Sequence, residues 1–303
     1  MKLTTKAHIG VLATNIFFAM NLGLVKFISP SLIGPFGLNI FRVGISLIFF
    51  WTLWLFSGQS AKIKKADIGR FVLCGITGVA INQLLFVKGL TLTSTIHAAL
   101  LMLCTPLLIT IFAFWFLKER VTLIKLIGLS LGIGGALLLI LSRDYSGTAS
   151  LKGDLLILIN AISYAIYFVL AKPLMQNYSP LQVIRWVFTL GFIVMLPFGI
   201  SDVVAVNWSN FHWGSYVALA SIIFCGTFLA YSFNAYGLKH LGAGITGSYI
   251  YTQPIFAAII SAIFLKEGFS LDKLMAGTLI FTGVFLASRK ESFSKLFEFH
   301  SRN

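Results

Sequence analysis

Charge is scarce in this chain of 303 residues: Asp, Glu, Lys and Arg make up 11% of it, against roughly 25% in a soluble globular protein. A water-facing surface cannot be assembled from so few charges, so lipid must be the solvent for most of it. Acid is scarcer still, with nine Asp and Glu beside 23 Lys and Arg. No carboxylate falls deep within an apolar run; Asp67, Asp154 and Asp272 stand near the starts of runs. That speaks against cation efflux through a buried Glu, because ion-coupled pumps commonly hold the ion on a carboxylate at depth. Cysteine is nearly missing: Cys74, Cys104 and Cys225 show no metal-ligand spacing and no pairing logic, and read as small packing residues. The histidines, His8, His97, His212, His240 and His300, are scattered. No nucleophile, base and orienting residue come together, so an intramembrane enzyme has no visible site. No phosphate-binding loop is present, so no cofactor, no metal and no ATPase subunit is implied. The net charge of +14 lies in short clusters between apolar runs rather than on a soluble domain, which excludes a nucleic-acid partner.

What is present is hydrophobicity, 58% of residues. A bilayer core needs roughly 20 apolar helical residues per crossing. Ten segments qualify, at approximately 8–28, 33–57, 67–88, 94–117, 122–141, 153–173, 180–200, 212–237, 242–265 and 270–288. They do not alternate polar and apolar, so they predict helices rather than barrel strands. The start, MKLTTKAHIG, resembles a secretory signal, but the apolar stretch after it is too long and lacks a small-residue cleavage site; it predicts a retained first helix. With the N-terminus in the cytoplasm, Lys and Arg are roughly three times as frequent on the inner side as on the outer. The expectation is a multi-pass protein of the inner (plasma) membrane with both termini cytoplasmic. The tail, 291–303, mixes aromatics with charges and suits the inner surface.

One phrase occurs twice. CTPLLITIFAFWFLKER (104–120) and TQPIFAAIISAIFLKEG (252–268) share proline, an apolar stretch and Phe-Leu-Lys-Glu at one spacing. A shift of 148 positions superimposes Pro106 on Pro254, Lys118 on Lys266 and Glu119 on Glu267, and, with no gap, Gly78 on Gly226, Gly89 on Gly237 and Gly135 on Gly283. The chain is a tandem duplication of about five helices per copy, with a first repeat over 1–145 and a second over 146–290. Five is odd, so the second copy enters from the opposite side. The fold class expected is an all-α integral membrane protein of ten transmembrane helices in two inverted five-helix repeats, an arrangement that recurs in secondary transporters with substrate bound between the repeats.

These residues resemble the drug/metabolite transporter superfamily, in its ten-helix branch of two EamA domains. The resemblance rests on the duplicated phrase, on the Gly-rich stretches GLSLGIGG (128–135) and AGTLIFTG (276–283), and on Phe41–Arg42 after a Pro-containing loop. It implies a small-molecule carrier, often an exporter of amino acids or similar metabolites, with segments 1, 3, 4, 6, 8 and 9 around a central path.

Polar residues at membrane depth usually face the bundle rather than lipid. Asn15, Asn82, Gln83, His97, Tyr164, Tyr231, Asn234 and Tyr249 are the substrate-binding candidates, with Asn21, Asn160, Tyr167 and Gln253 among the same interior set. Each could instead only join helices, for about 0.6 kcal/mol on average. His97 is the titratable group that a proton-coupled antiporter would use. Lys88 and Arg42 could attract a carboxylate or snorkel. Pro106 and Pro254 each remove a helical hydrogen bond, freeing the carbonyls near Met102 and Ile250; they hinge the helices or merely kink them. The glycines need no chemistry and suit close packing, in a monomer or weak dimer. Two ion pairs across the repeats, Lys26–Glu267 outside and Lys172–Glu119 inside, would form alternately as gates; the other reading is solvated helix ends. Charge reversal separates the two. Lys26→Glu and Glu267→Lys should each lower transport severalfold and the double exchange should restore it; harmless single reversals in a flux assay contradict the gate.

Overall fold

A computed structural model describes residues 3–58, 62–117, 123–141, 150–260 and 271–288. The described residues are helical apart from short connections, with no strand among them. In lipid this is required, since a helix satisfies its own backbone groups. The helices are α1 (Leu3–Ile28), α2 (Pro35–Ser57) and α3, which runs through Ile68–Gly75, Ile76–Ile81 and Asn82–Leu90. Next come α4 (Thr95–Met102 and Cys104–Leu117), α5 (Leu123–Leu141), α6 (Leu151–Asn177) and α7 (Pro180–Val204). Then follow α8 (Trp213–Ile223, Phe224–Leu229 and Ala230–Ser248), α9 (Gln253–Ile260) and α10 (Leu271–Ser288). Seven helical stretches among the described residues are long and apolar enough to cross a membrane; α5 and α10 contain shorter apolar stretches, Leu126–Leu138 and Leu274–Gly283. The protein is a multi-pass membrane protein.

Local sequence signals set several starts. Ser94, Ser150 and Ser179 each accept a hydrogen bond from a first-turn N–H, of His97, Gly153 and Gln182, as side-chain caps do. Prolines occupy the first turn of α2 and α7, where a missing N–H costs nothing. The start of α2 is capped from a distance: Asp202 of α7 accepts from Phe36 N and Gly37 N at 3.0 and 3.2 Å.

That contact fixes a direction. Residues 36 and 37 of α2 meet residue 202 of α7; further along, Trp51 Nε1 donates to Thr189 Oγ1 at 3.1 Å, and Trp54 lies beneath the Arg185 guanidinium at 4.4 Å. Helices α2 and α7 are therefore antiparallel, although the duplication makes them copies of one another. The same holds for α5 and α10. Gly135 packs on Ala276 and Ile280, while Gly132 and Gly128 pack on Gly283. Equivalent helices that face each other head to tail are what inverted repeats require.

The repeat is also written in the backbone. Helix α3 widens into a π segment at Ile76–Ile81 and α8 at Phe224–Leu229, 148 positions later. Gly78 and Gly226 within them lie against the first helix of the opposite repeat, on Tyr167 and Asn21 respectively. Likewise Leu103 interrupts α4 just before Pro106, and a 3-10 turn at Tyr249–Thr252 precedes Pro254 in the equivalent place. The sequence reading predicted continuous segments at 67–88 and 242–265. The structure instead puts the π segment in the first and the 3-10 turn at Tyr249–Thr252 in the second, while the break at Gly242, φ of 80°, coincides with the second segment's start. Hydropathy does not register such changes in winding.

Backbone contact at α5–α10 leaves no room for side chains. A Cβ on Gly135 would stand 2.8 Å from Ile280 Cγ1 and 2.9 Å from the Ala276 carbonyl, whereas one on Gly134 would meet nothing within 4 Å. Gly135→Ala should cost about 1–3 kcal/mol, while Gly134→Ala should be neutral or stabilise by about 0.5–1 kcal/mol. Thermal unfolding of the two variants in one detergent makes the comparison.

Candidate functional site

Two hydrophobic clusters hold the helices, and a polar cavity lies among α1, α2, α3, α4, α6 and α8 with the start of α9. It encloses about 680 Å³ between atoms, open solvent included. Of the sequence candidates, Asn15, Asn82, Gln83, Tyr164, Tyr231 and Asn234 line it, as do Asn21, Asn160 and Gln253.

The lining is a hydrogen-bonded seam between repeats. Gln83 Nε2 bonds the Tyr231 hydroxyl, and these two residues are 148 apart, so the bond joins equivalent positions across the pseudo-twofold. Both lie within 3.4 Å of Asn82 Oδ1. Asn234 Nδ2 donates to the Tyr164 hydroxyl at 3.1 Å, and Gln253 Nε2 to Asn15 Oδ1 at 2.8 Å. Two backbone carbonyls complete the pattern. Asn82 O accepts from Asn160 Nδ2 at 2.7 Å, and Ala230 O, again 148 positions later, lies 3.1 Å from Thr14 Oγ1, whose one proton it shares with Gly10 O at 3.0 Å. Each lies directly after a π segment, where the ordinary helical ladder is shifted.

The remaining candidates lie elsewhere. Tyr249 pairs through its hydroxyl with His8 Nδ1 at 2.8 Å. His97 does not line the cavity; its Nδ1 lies 3.1 Å from Asp154 Oδ2, and Asp154 also bonds Thr93 Oγ1. Both side chains are almost wholly buried, 2% and 3% exposed. Asp154 lies in the first turn of α6, as its place in the sequence suggests, and is buried, with Thr93 and His97 folded over it. Lys26 stands in the last turn of α1 and Lys172 within α6; their proposed partners Glu267 and Glu119 lie outside the described residues. Pro106 and Pro254 sit just after the two breaks described above.

Sequence reasoning missed Thr105, Thr246, Phe18 and Phe86 as lining residues, and left Arg42 undecided. The signal was available. Gln83 and Tyr231, Phe86 and Asn234, Met102 and Ile250, and Thr105 and Gln253 all line the cavity, and each pair is one repeat offset apart. Carrying each candidate over to its equivalent position would have found Phe86 and Thr105.

Comparison with known proteins gives the family. The model of the EamA-like transporter family matches the chain twice, over residues 5–141 and 151–289. The chain belongs to the EamA-like transporter family. This family member is similar to the uncharacterized transporter YyaM of Bacillus subtilis, 26% identical over 93% of each chain. It is also similar to an uncharacterized transporter of Archaeoglobus fulgidus, 23% identical over 94% of this chain and 99% of that one. A probable terminal-alkyne amino-acid exporter of Streptantibioticus cattleyicolor is 24% identical over 75% of each. One solved crystal structure superposes with a TM-score of 0.64 at 17% identity, over 96% of this chain and 98% of that one, which is a likeness of fold.

The buried pair His97–Asp154 ties α4 to α6. Asp154→Ala leaves His97 Nδ1 and Thr93 Oγ1 without their shared acceptor and should cost about 1–3 kcal/mol of stability. Asp154→Asn, which keeps an oxygen in place, should cost less. Unfolding midpoints of the purified variants test the order.

Proposed function

We propose that this EamA-like transporter carries small zwitterionic or neutral metabolites, amino acids foremost, across the inner membrane by alternating access, in the export direction. One observation carries the reading: a cavity lined by amide and phenol groups from both repeats, in pairs set one repeat offset apart. A seam between inverted halves is where such a carrier holds its cargo. Amides and hydroxyls bind polar solutes of either charge pattern, and Phe18, Tyr164 and Tyr231 offer faces for a side chain. The similarity to a probable amino-acid exporter supports this substrate class. The function proposed is transport and not catalysis. The prolines and the alternate Lys–Glu pairs would serve as hinge and gates, and the termini would be cytoplasmic.

A second reading has its own observation. His97 is paired with the Asp154 carboxylate at 3.1 Å in the interior of the described residues, and a histidine is the side chain a proton-coupled antiporter would use. Counterflow in proteoliposomes decides between them. Vesicles loaded with unlabelled amino acids should accumulate the labelled ones severalfold over protein-free vesicles, with no change when a pH gradient is imposed. Strict dependence on the gradient establishes the antiport reading; no counterflow of any amino acid contradicts the proposal.

A further inference from the structure

We infer that Arg42 is the receptor for a carboxylate group on the transported solute, an inference that rests on the carrier reading of the cavity and narrows it. Arg42 belongs to α2, is 1% exposed and lines the cavity. Its position is built. Thr227, in the π segment of α8, donates its own hydroxyl proton to Ile222 O at 2.9 Å, which leaves the oxygen to accept from Arg42 Nε at 3.1 Å. The ring of Phe86 lies 5.9 Å from the guanidinium carbon. With Nε held, the head of the guanidinium is aimed, and Nη1 is buried without any hydrogen-bond partner.

A buried cation with a donor unused is costly unless something pairs with it. Nothing in the described lining does: Arg42 is the one charged residue there, and no carboxylate is present. The missing charge is therefore supplied by what the cavity binds. Planar guanidinium donors match a carboxylate, and a single cation balances a monovalent anion better than a doubly charged phosphate.

The opposite polarity is present as well. Asn21 Oδ1 and Gln83 Oε1 are buried acceptors in the same cavity, and both lack a donor. An anionic acceptor for Arg42 and a donor for the two amide oxygens describe an amino carboxylate. Arg185 shows the contrast. It too is fully buried, but it lies against Trp51 and Trp54 at 4.6 and 4.4 Å, outside the cavity, where ring faces meet its charge.

The test is ligand-induced thermal stabilisation of the purified full chain. The probes are the protein amino acids, their carboxamides and their decarboxylated amines. Stabilisation should be confined to carboxylates. Arg42→Gln should weaken it about 10- to 100-fold, the loss expected for a charge-assisted hydrogen bond, and Arg42→Lys should weaken it less. Thr227→Val, which frees Arg42 Nε, should weaken carboxylates alone. Amides or amines that bind as tightly as acids, undiminished binding in Arg42→Gln, or no carboxylate that stabilises the protein would each overturn the inference. Should Arg42→Gln not run as one monodisperse peak, the acid-to-amide ratio of the unsubstituted protein and the Thr227→Val variant decide. Counterflow of a solute without a carboxylate overturns this assignment and leaves the carrier reading standing; carboxylate binding with no flux of any solute does the reverse.

Discussion

Backbone groups inside a bilayer must be paired, and the rest of this structure depends on how α3 and α8 meet that demand. Each widens by a π segment, which shifts its ladder of hydrogen bonds. The polar side chains that answer come from the first helix of the opposite repeat, Asn160 onto Asn82 O and Thr14 onto Ala230 O. The requirement to satisfy a carbonyl thus locks one repeat onto the other. It also places Asn82, Gln83, Tyr231 and Asn234 on the seam, within five residues of the end of the widened stretch. Thr227, inside the second of these segments, orients Arg42 by the same device. Local winding, cross-repeat packing and the chemistry of the cavity are one feature seen at three scales.

Close backbone approach supports that seam from outside. Helices α5 and α10 meet through Gly128, Gly132, Gly135 and Gly283, and α3 meets α7 through Gly75 and Gly191. Small residues at such crossings let backbones approach where lipid offers no hydrophobic driving force for association. The Gly-rich stretches therefore do what the sequence suggested, with no chemistry assigned to them.

Much of this was legible in the chain because lipid simplifies the reading. Most apolar segments lie within a few residues of the observed helices, the boundary between α8 and α9 excepted, since length and hydropathy decide them. Matched Gly, Pro, Lys and Glu at one offset revealed the duplication, and its odd helix count required the antiparallel pairing now seen between α2 and α7. Asn82, Gln83, Tyr231 and Asn234 could be picked out because few polar groups occur at that depth. His97 and Tyr249 could not be told apart from them: depth along a helix can be counted, but the direction in which a residue faces changes wherever the winding does. His97 stands in the first turn of a helix that starts anew after Ser94, and Tyr249 opens the 3-10 turn, so no register carried along the chain fixes their faces. Asp154 was hidden for a related reason. Its place at a helix start is plain, but the chain segment that covers it, Thr93 to His97, is distant in sequence.

The bond between Gln83 and Tyr231 carries one consequence more. It crosses an axis that relates the two positions, yet glutamine and tyrosine are different residues, as are Phe86 and Asn234 beside them. Swapping the roles of the halves does not return the molecule to the same energy. On the alternating-access proposal, the empty protein would therefore rest with one mouth open more often than the other. In a passive cycle that imbalance would drive no net flow, since detailed balance holds, but it would set which compartment the idle protein samples first.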